Sequence, residues 1–192
     1  MAYNMKDVFF LSTSATITNS TDGGGSAQLD LSAYIDPIAR GRQKGTGLAV
    51  YKCQFSMGQA TAGEPIDDAE DGSCRYGLLA GGGQGDNATG AISPTTATFA
   101  ATQDNLVASG DFYGPRSMVA NASSAPYGLL TTEQYVSPDT EVPYVIVRDN
   151  VVLIYDVGDN FTSNHILSVR LSCAQITLDQ ATLNQLLRTQ TV

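Results

Sequence analysis

With 192 residues, 42% of them hydrophobic and only 15% charged, the chain can bury a sizeable core and carries too little charge for a disordered one. Its net charge of −9 is uneven: residues 1–60 hold five basic and four acidic side chains, residues 61–160 three and fourteen, and residues 161–192 two and one. Neither end is a polybasic arm for nucleic acid, and no stretch approaches the roughly 18 apolar residues of a membrane helix. The start, MAYNMKDVFFLST, is apolar only over residues 8–11 and does not read as a signal peptide.

Residues 8–18 (VFFLSTSATIT) predict a strand. Phe9, Leu11, Ala15 and Ile17 fall on one side, because side chains two apart on a strand share a face. Residues 21–26 (TDGGGS) read as a turn. Residues 27–35 (AQLDLSAYI) alternate Leu29, Leu31, Ala33 and Ile35 with polar neighbours, and Asp36-Pro37 ends the strand because proline has no ladder N–H. Residues 40–47 (RGRQKGTG) form a basic, glycine-punctuated loop. Residues 48–57 (LAVYKCQFSM) predict a second strong strand, with Ala49, Tyr51, Cys53, Phe55 and Met57 as its apolar face.

From residue 58 to residue 141 the pattern blurs, with short apolar islands at 76–80, 98–101, 106–108, 118–120 and 127–130. A structureless loop of that length is unusual in a compact domain, so short strands joined by long excursions are expected. The run GGGQGDNATG at 81–90 reads as loop. Residues 142–147 (VPYVIV) and 151–157 (VVLIYDV), around Arg148-Asp149-Asn150, suggest a hairpin. Residues 165–178 (HILSVRLSCAQITL) form a long strand, with Leu167, Val169, Leu171 and Cys173 on one face. Residues 179–188 (DQATLNQLLR) read as a helix with Asp179 as N-cap, a stripe of Leu183, Leu186 and Leu187, and Arg188 suited to the C-terminal dipole. The sum is an all-β antiparallel sandwich with long loops and a short C-terminal helix. It is expected as one domain over residues 1–192, with 58–141 as a loop-rich, acidic portion.

Chemical motifs are few. His165 is the one histidine, and any Ser-His-Asp or Cys-His site would have to use it. No GxSxG elbow accompanies it, and an ordinary exposed or half-buried histidine is expected. Cys53, Cys74 and Cys173 are odd in number and show no CxxC, which argues against a disulfide framework and against zinc. Free thiols are expected, with Cys53 and Cys173 on apolar strand faces. The glycine run at 81–85 lacks the GK[S/T] of a phosphate loop. Asp67-Asp68-Ala69-Glu70-Asp71-Gly72 resembles a calcium loop superficially, but Ala69 stands at the third position and Leu78 where a bidentate glutamate would close the site. Solvated charge is the favoured reading there, and an irregular calcium site the alternative. Arg40, Arg42 and Lys44 form the one basic cluster, suited to weak, sequence-independent phosphate contacts or to a subunit contact. Neither a cofactor, a metal nor an enzymatic reaction is expected.

The segments LDLSAYIDP, ARGRQKG, GLAVYKCQF and VRLSCAQITL, in this order around a weakly patterned middle, resemble coat proteins of small, mostly uncultured viruses over residues 27–57 and 142–190. The resemblance implies a β-sandwich of jelly-roll type and self-assembly into a closed, icosahedral shell. It also implies a place in the virion after synthesis in the host cytoplasm. Many such proteins begin with an arginine-rich arm that this chain lacks, so only the turn at Arg40, Arg42 and Lys44 inherits a genome contact. Leu183, Leu186 and Leu187 would cap the chain's own sheet or dock on a neighbour. The rival readings are a lectin-like or adhesin-like module using the 58–141 loops, with or without calcium, and a hydrolase built on His165.

Overall fold

The computed structural model describes residues 8–19, 23–36, 44–60, 70, 72–81, 99, 101–114 and 131–190. Its elements, in chain order, are β1 (Val8–Ile17), β2 (Gly23–Asp30), β3 (Lys44–Gln59), β4 (Ser73–Ala80), β5 (Leu106–Tyr113), β6 (Thr131–Val136), β7 (Tyr144–Ile146), β8 (Asn150–Asp159), β9 (His165–Asp179) and α1 (Gln180–Thr189). One sheet has the order β1-β9-β3-β7 and the other β2-β8-β4-β5-β6. Among the described residues all strand pairings are antiparallel. With β6 set aside, the strands pair first with last and inward from there: β1 with β9, β2 with β8, β3 with β7, β4 with β5. That nesting is one long hairpin rolled across two layers, the jelly-roll arrangement.

The long strand β9 organises the first sheet. Leu167, Val169, Leu171 and Cys173 face the second sheet, with Ala15, Leu11 and Phe9 of β1 on one side and Met57, Phe55 and Cys53 of β3 on the other. Cys74, Tyr76 and Leu78 of β4, Phe112 of β5, and Leu153, Tyr155 and Val157 of β8 meet them from the second sheet in the same core. A strand whose alternate residues are apolar on one face is stable only when another layer covers that face, and the two sheets cover each other.

Several expectations are corrected. β2 begins inside the glycine run and ends at Asp30, so Leu31–Ile35 is not strand. The Asp30 carboxylate accepts the Ser32 N–H at 2.8 Å, and Leu31 O accepts the N–H of Tyr34 at 2.8 Å and of Ile35 at 3.1 Å. This side-chain-to-backbone turn buries Leu31 and Ile35 as fully as strand alternation would have done. In β3 a bulge between Val50 and Lys52 shifts the register. Val50 and Cys53, three apart, therefore both face the core, while Ala49 and Tyr51 leave the face assigned to them. β3 also starts at Lys44, four residues before the expected strand and inside the expected basic loop.

The expected hairpin of residues 142–157 does not form. β7 pairs with β3 in the first sheet, and β8 pairs with β2 and β4 in the second, so the short connection arches between layers. Both runs are apolar at consecutive positions, which hides their facing. β8 is buried on both sides: Val152 and Ile154 pack outward with Leu79, Leu106 and Phe99 in a second cluster. The middle region does hold short strands, at β4, β5 and β6. The islands at 118–120 and 127–130, and residues 82–90 of the glycine run, lie outside the described residues. Asp179 caps α1 by accepting the Thr182 N–H at 2.8 Å, and the helix lies against β3 and β9 with Leu183 fully buried and Leu186 and Leu187 half-buried.

Candidate functional site

Three places in the fold gather chemistry-bearing side chains. The first is at the end of the sandwich where β9 begins. His165 occupies an inward position two residues before Leu167, so strand parity carries it into the core, where it has no exposed surface. The expected exposed or half-buried histidine is thus corrected, and the alternation Leu167, Val169, Leu171 already contained the signal. Its Nδ1 meets Ser163 O at 2.8 Å, and its Nε2 stands 3.7 Å from Glu70 Oε2. Glu70 is equally buried: its Oε1 accepts the N–H of Gly72 at 3.0 Å and of Thr162 at 2.9 Å, and its Oε2 accepts the Thr162 hydroxyl at 2.7 Å. A carboxylate shut away from water needs such donors. Glu70, in the acidic run expected to be solvated, therefore points inward, and no pattern in its own neighbourhood signals it. Asp67, Asp68 and Asp71 lie outside the described residues, and among the described residues no group of acids, histidines and cysteines is placed to hold a metal. With both partners sealed and His165 tied to a backbone carbonyl, the ring is out of a substrate's reach.

The second place is a shallow cleft of about 200 Å³ on the outward side of the five-stranded sheet. Arg75 of β4 stands opposite Asp111 of β5 and binds it through two parallel contacts, Nε–Oδ1 at 2.7 Å and Nη2–Oδ2 at 3.0 Å. The Tyr113 hydroxyl donates to Asp111 Oδ2 at 3.2 Å, and Asp156 and Phe99 complete the walls. The carboxylate is 5% exposed and the guanidinium side chain 44%, so the pair is anchored on the acid and open on the base.

The third place is the outward side of β1, β9 and β3. Ser12, Ser14 and Thr16 of β1, Ser168 and Ser172 of β9, and Gln54 and Ser56 of β3 line it, and the Ser56 and Ser168 hydroxyls meet at 2.8 Å. Phe10 is 56% exposed and lies under the Arg170 guanidinium, 3.9 Å from ring centroid to carbon. Ile166 is also exposed on this face. Lys52 and Arg170 are its charges, and none of the described strand positions on it is acidic.

Of the residues singled out by sequence, Arg40 and Arg42 lie outside the described residues. Lys44 is exposed at the start of β3, directly opposite Asp179. The three thiols are free and buried, and burial pushes Cys53 and Cys173 up to about 12 and Cys74 higher still.

The pairing order and the two-layer core define a β-sandwich of jelly-roll type. No protein-family model matches the chain, and no curated protein matches it in sequence. Among solved structures it is similar to human polyomavirus 12 VP1 in complex with 3'-sialyllactosamine, at 8% identity and a TM-score of 0.39, covering 89% of this chain and 100% of that one. It is also similar to trichodysplasia spinulosa-associated polyomavirus VP1 in complex with GM1 oligosaccharide, at 6% identity and a TM-score of 0.36, covering 91% and 96%. At those values the jelly-roll assignment rests on the strand pairing above and not on the likeness.

Proposed function

We propose that this chain is a structural subunit that associates with copies of itself, the coat protein of a virus, and that it performs no catalysis. One sandwich domain spanning residues 1–192 builds a closed shell by symmetric, repeated contacts. Its place is the virion, after synthesis in the host cytoplasm. The observation that carries this reading is the outward face of β1 and β9. A large aromatic side chain, Phe10, is 56% exposed there with the Arg170 guanidinium over its ring, on a sheet with short hydroxylated neighbours. An exposed aromatic side chain on a sheet face suits a protein contact better than it suits solvent. Arg40, Arg42 and Lys44 supply a weak, salt-sensitive contact to nucleic acid or a contact between subunits. Leu186 and Leu187, half-buried beside fully buried Leu183, leave part of α1 for a neighbour. No described helix is long and apolar enough to cross a membrane, and no membrane partner is proposed.

Electron microscopy and sedimentation of the purified protein test the reading. Closed particles many times heavier than the 20.2 kDa chain are expected, and Phe10→Asp should shift them toward free subunits without unfolding them. A chain that stays a single subunit at high concentration overturns it. The cleft at Arg75 and Asp111 favours a second reading, a lectin-like module that holds a glycan beside the half-exposed guanidinium. Glycan binding by a monomer, abolished by EDTA if calcium takes part, would select that reading.

A further inference from the structure

We propose that the outer edge of β1 pairs antiparallel with the same edge of a second copy over residues 8–14, joining two four-stranded sheets into one. This rests on the reading that the chain associates with itself, and it names the contact. Ladder contacts fix which backbone groups of β1 are already committed. The Ala60 N–H donates to Asn164 O at 2.8 Å, one step beyond the Gln59–His165 pair of the β3–β9 register. In an antiparallel ladder, successive residues of a middle strand turn both backbone groups to one neighbour and then to the other. His165, Leu167, Val169, Leu171 and Cys173 therefore bond β1, where Ile17, Ala15, Thr13, Leu11 and Phe9 stand opposite them. The Cys173 thiol, which donates to Phe9 O at 3.6 Å, agrees with that phase. Val8, Phe10, Ser12, Ser14 and Thr16 accordingly turn their backbone groups away from β9. The Tyr155 hydroxyl takes Thr16 O at 3.1 Å, which leaves the edge over residues 8–14.

The other sheet edges are guarded. The Gln190 side chain bonds Val145 O and the Val147 N–H beside β7, β2 carries Asp30, and β6 carries Glu133. β1 is ten residues with neither charge nor proline, it pairs with β9 without a bulge, and among the described residues no strand lies on its other side. Such an edge is a template for a further strand. A second copy fits it by charge and by shape. A two-fold axis at Leu11 sets Val8 of each copy opposite Ser14 of the other, and Phe10 opposite Ser12. No charges meet along that seam, because β1 has none. The Arg170 groups, one strand in from it on each side, stand three strand spacings apart, about 14 Å, beyond the screening length of about 8 Å. The two Phe10 rings become diagonal neighbours, within reach of each other across the strand pair. Phe10 and Val8, now 56% and 37% exposed, are thereby covered.

Disulfide trapping and hydrogen exchange test the pairing. Under mild oxidation, the double variant Val8→Cys/Ser14→Cys should give a covalent species of twice the 20.2 kDa chain. Facing residues of a hydrogen-bonded pair lie about 5.5 Å apart between Cα atoms, within disulfide reach. Val8→Cys alone and Ser14→Cys alone should give none, since the two-fold axis places neither residue near its own counterpart. In the wild-type chain, which needs no variant to fold, the Phe10 and Ser12 amides should gain protection by about tenfold or more on association. Those of Leu11 and Thr13, already bonded to β9, should change little. Particles that form while Phe10 and Ser12 still exchange freely overturn the pairing and leave the coat-protein reading standing. Protection gained without the disulfide means that another segment occupies the edge, and it also overturns the pairing, as does equal cross-linking by a single-cysteine variant. A chain that stays a single subunit at high concentration overturns both.

Discussion

The side-chain oxygen of Gln190 accepts the backbone N–H of Val147 at 3.1 Å, across 43 residues of sequence. The same carboxamide donates to Val145 O at 2.6 Å, and Arg148 Nε donates to Gln190 O at 3.2 Å. β7 is an edge strand of three residues, and a carboxamide offers one donor and one acceptor at the spacing that a neighbouring strand would. Gln190 therefore stands in for a further strand at an edge that would otherwise be open to pairing with another chain. Gln190→Ala would leave two backbone groups without partners at a position now 3% exposed. A loss of about 2–4 kcal/mol is expected in denaturant unfolding. Gln190→Glu, which cannot donate to Val145 O, should recover only part of it.

Gly25 and Tyr155 stand opposite each other in the β2–β8 ladder. A Cβ at Gly25 would fall on the Tyr155 ring, whose hydroxyl donates to Thr16 O at 3.1 Å and so ties β8 to β1 across the layers. Gly25→Ala should cost about 1–3 kcal/mol through overpacking. In a Tyr155→Leu background the same substitution should cost less, a non-additivity that a double-mutant cycle reads directly.

The N-cap of α1 carries the clearest pH dependence. The backbone N–H of Thr182, followed by its side chain, holds the Asp179 carboxyl below the usual carboxylate range. A folded-state value below that of the unfolded chain means that the contribution is present above about pH 4 and is lost as pH falls through the lower, folded value. Circular dichroism and amide protection of α1 should therefore decline on acidification, and Asp179→Asn, which keeps an acceptor without the charge, should flatten that response.

The thiols give a test of burial. With Cys53 and Cys173 pushed up to about 12 by loss of hydration, and Cys74 pushed up further, the thiolate fraction near neutral pH is negligible. A maleimide or disulfide reagent should label none of the three in the folded protein at about pH 8 and all three after unfolding. Rapid labelling of Cys53 or Cys173 without unfolding would show that the two layers part at their centre.

Strands with one apolar face were legible. β1 and β9 coincide with their expected spans to within one residue at each end, and Asp179 caps the helix as read, because period-two alternation and a capping carboxylate are local signals. The departures from simple alternation share a cause. The bulge at Tyr51, the turn that folds Leu31 and Ile35 inward and the arch between β7 and β8 all keep apolar residues in the core while breaking the period that would reveal them. The site was less visible still. Glu70 sits in an acidic run that looks hydrated, and Asp111 lies 36 residues from the Arg75 that neutralises it.

By itself, the order of residues determined which segments extend, which face of β1 and β9 is apolar, and where the final helix starts. These depend on neighbours two to four positions apart. The layer each strand joins, the carboxylates drawn inward and the side chain that seals β7 were decided only in three dimensions. A buried charge is tolerable where donors from distant segments meet it, and an edge is closed by whatever the folded chain brings beside it.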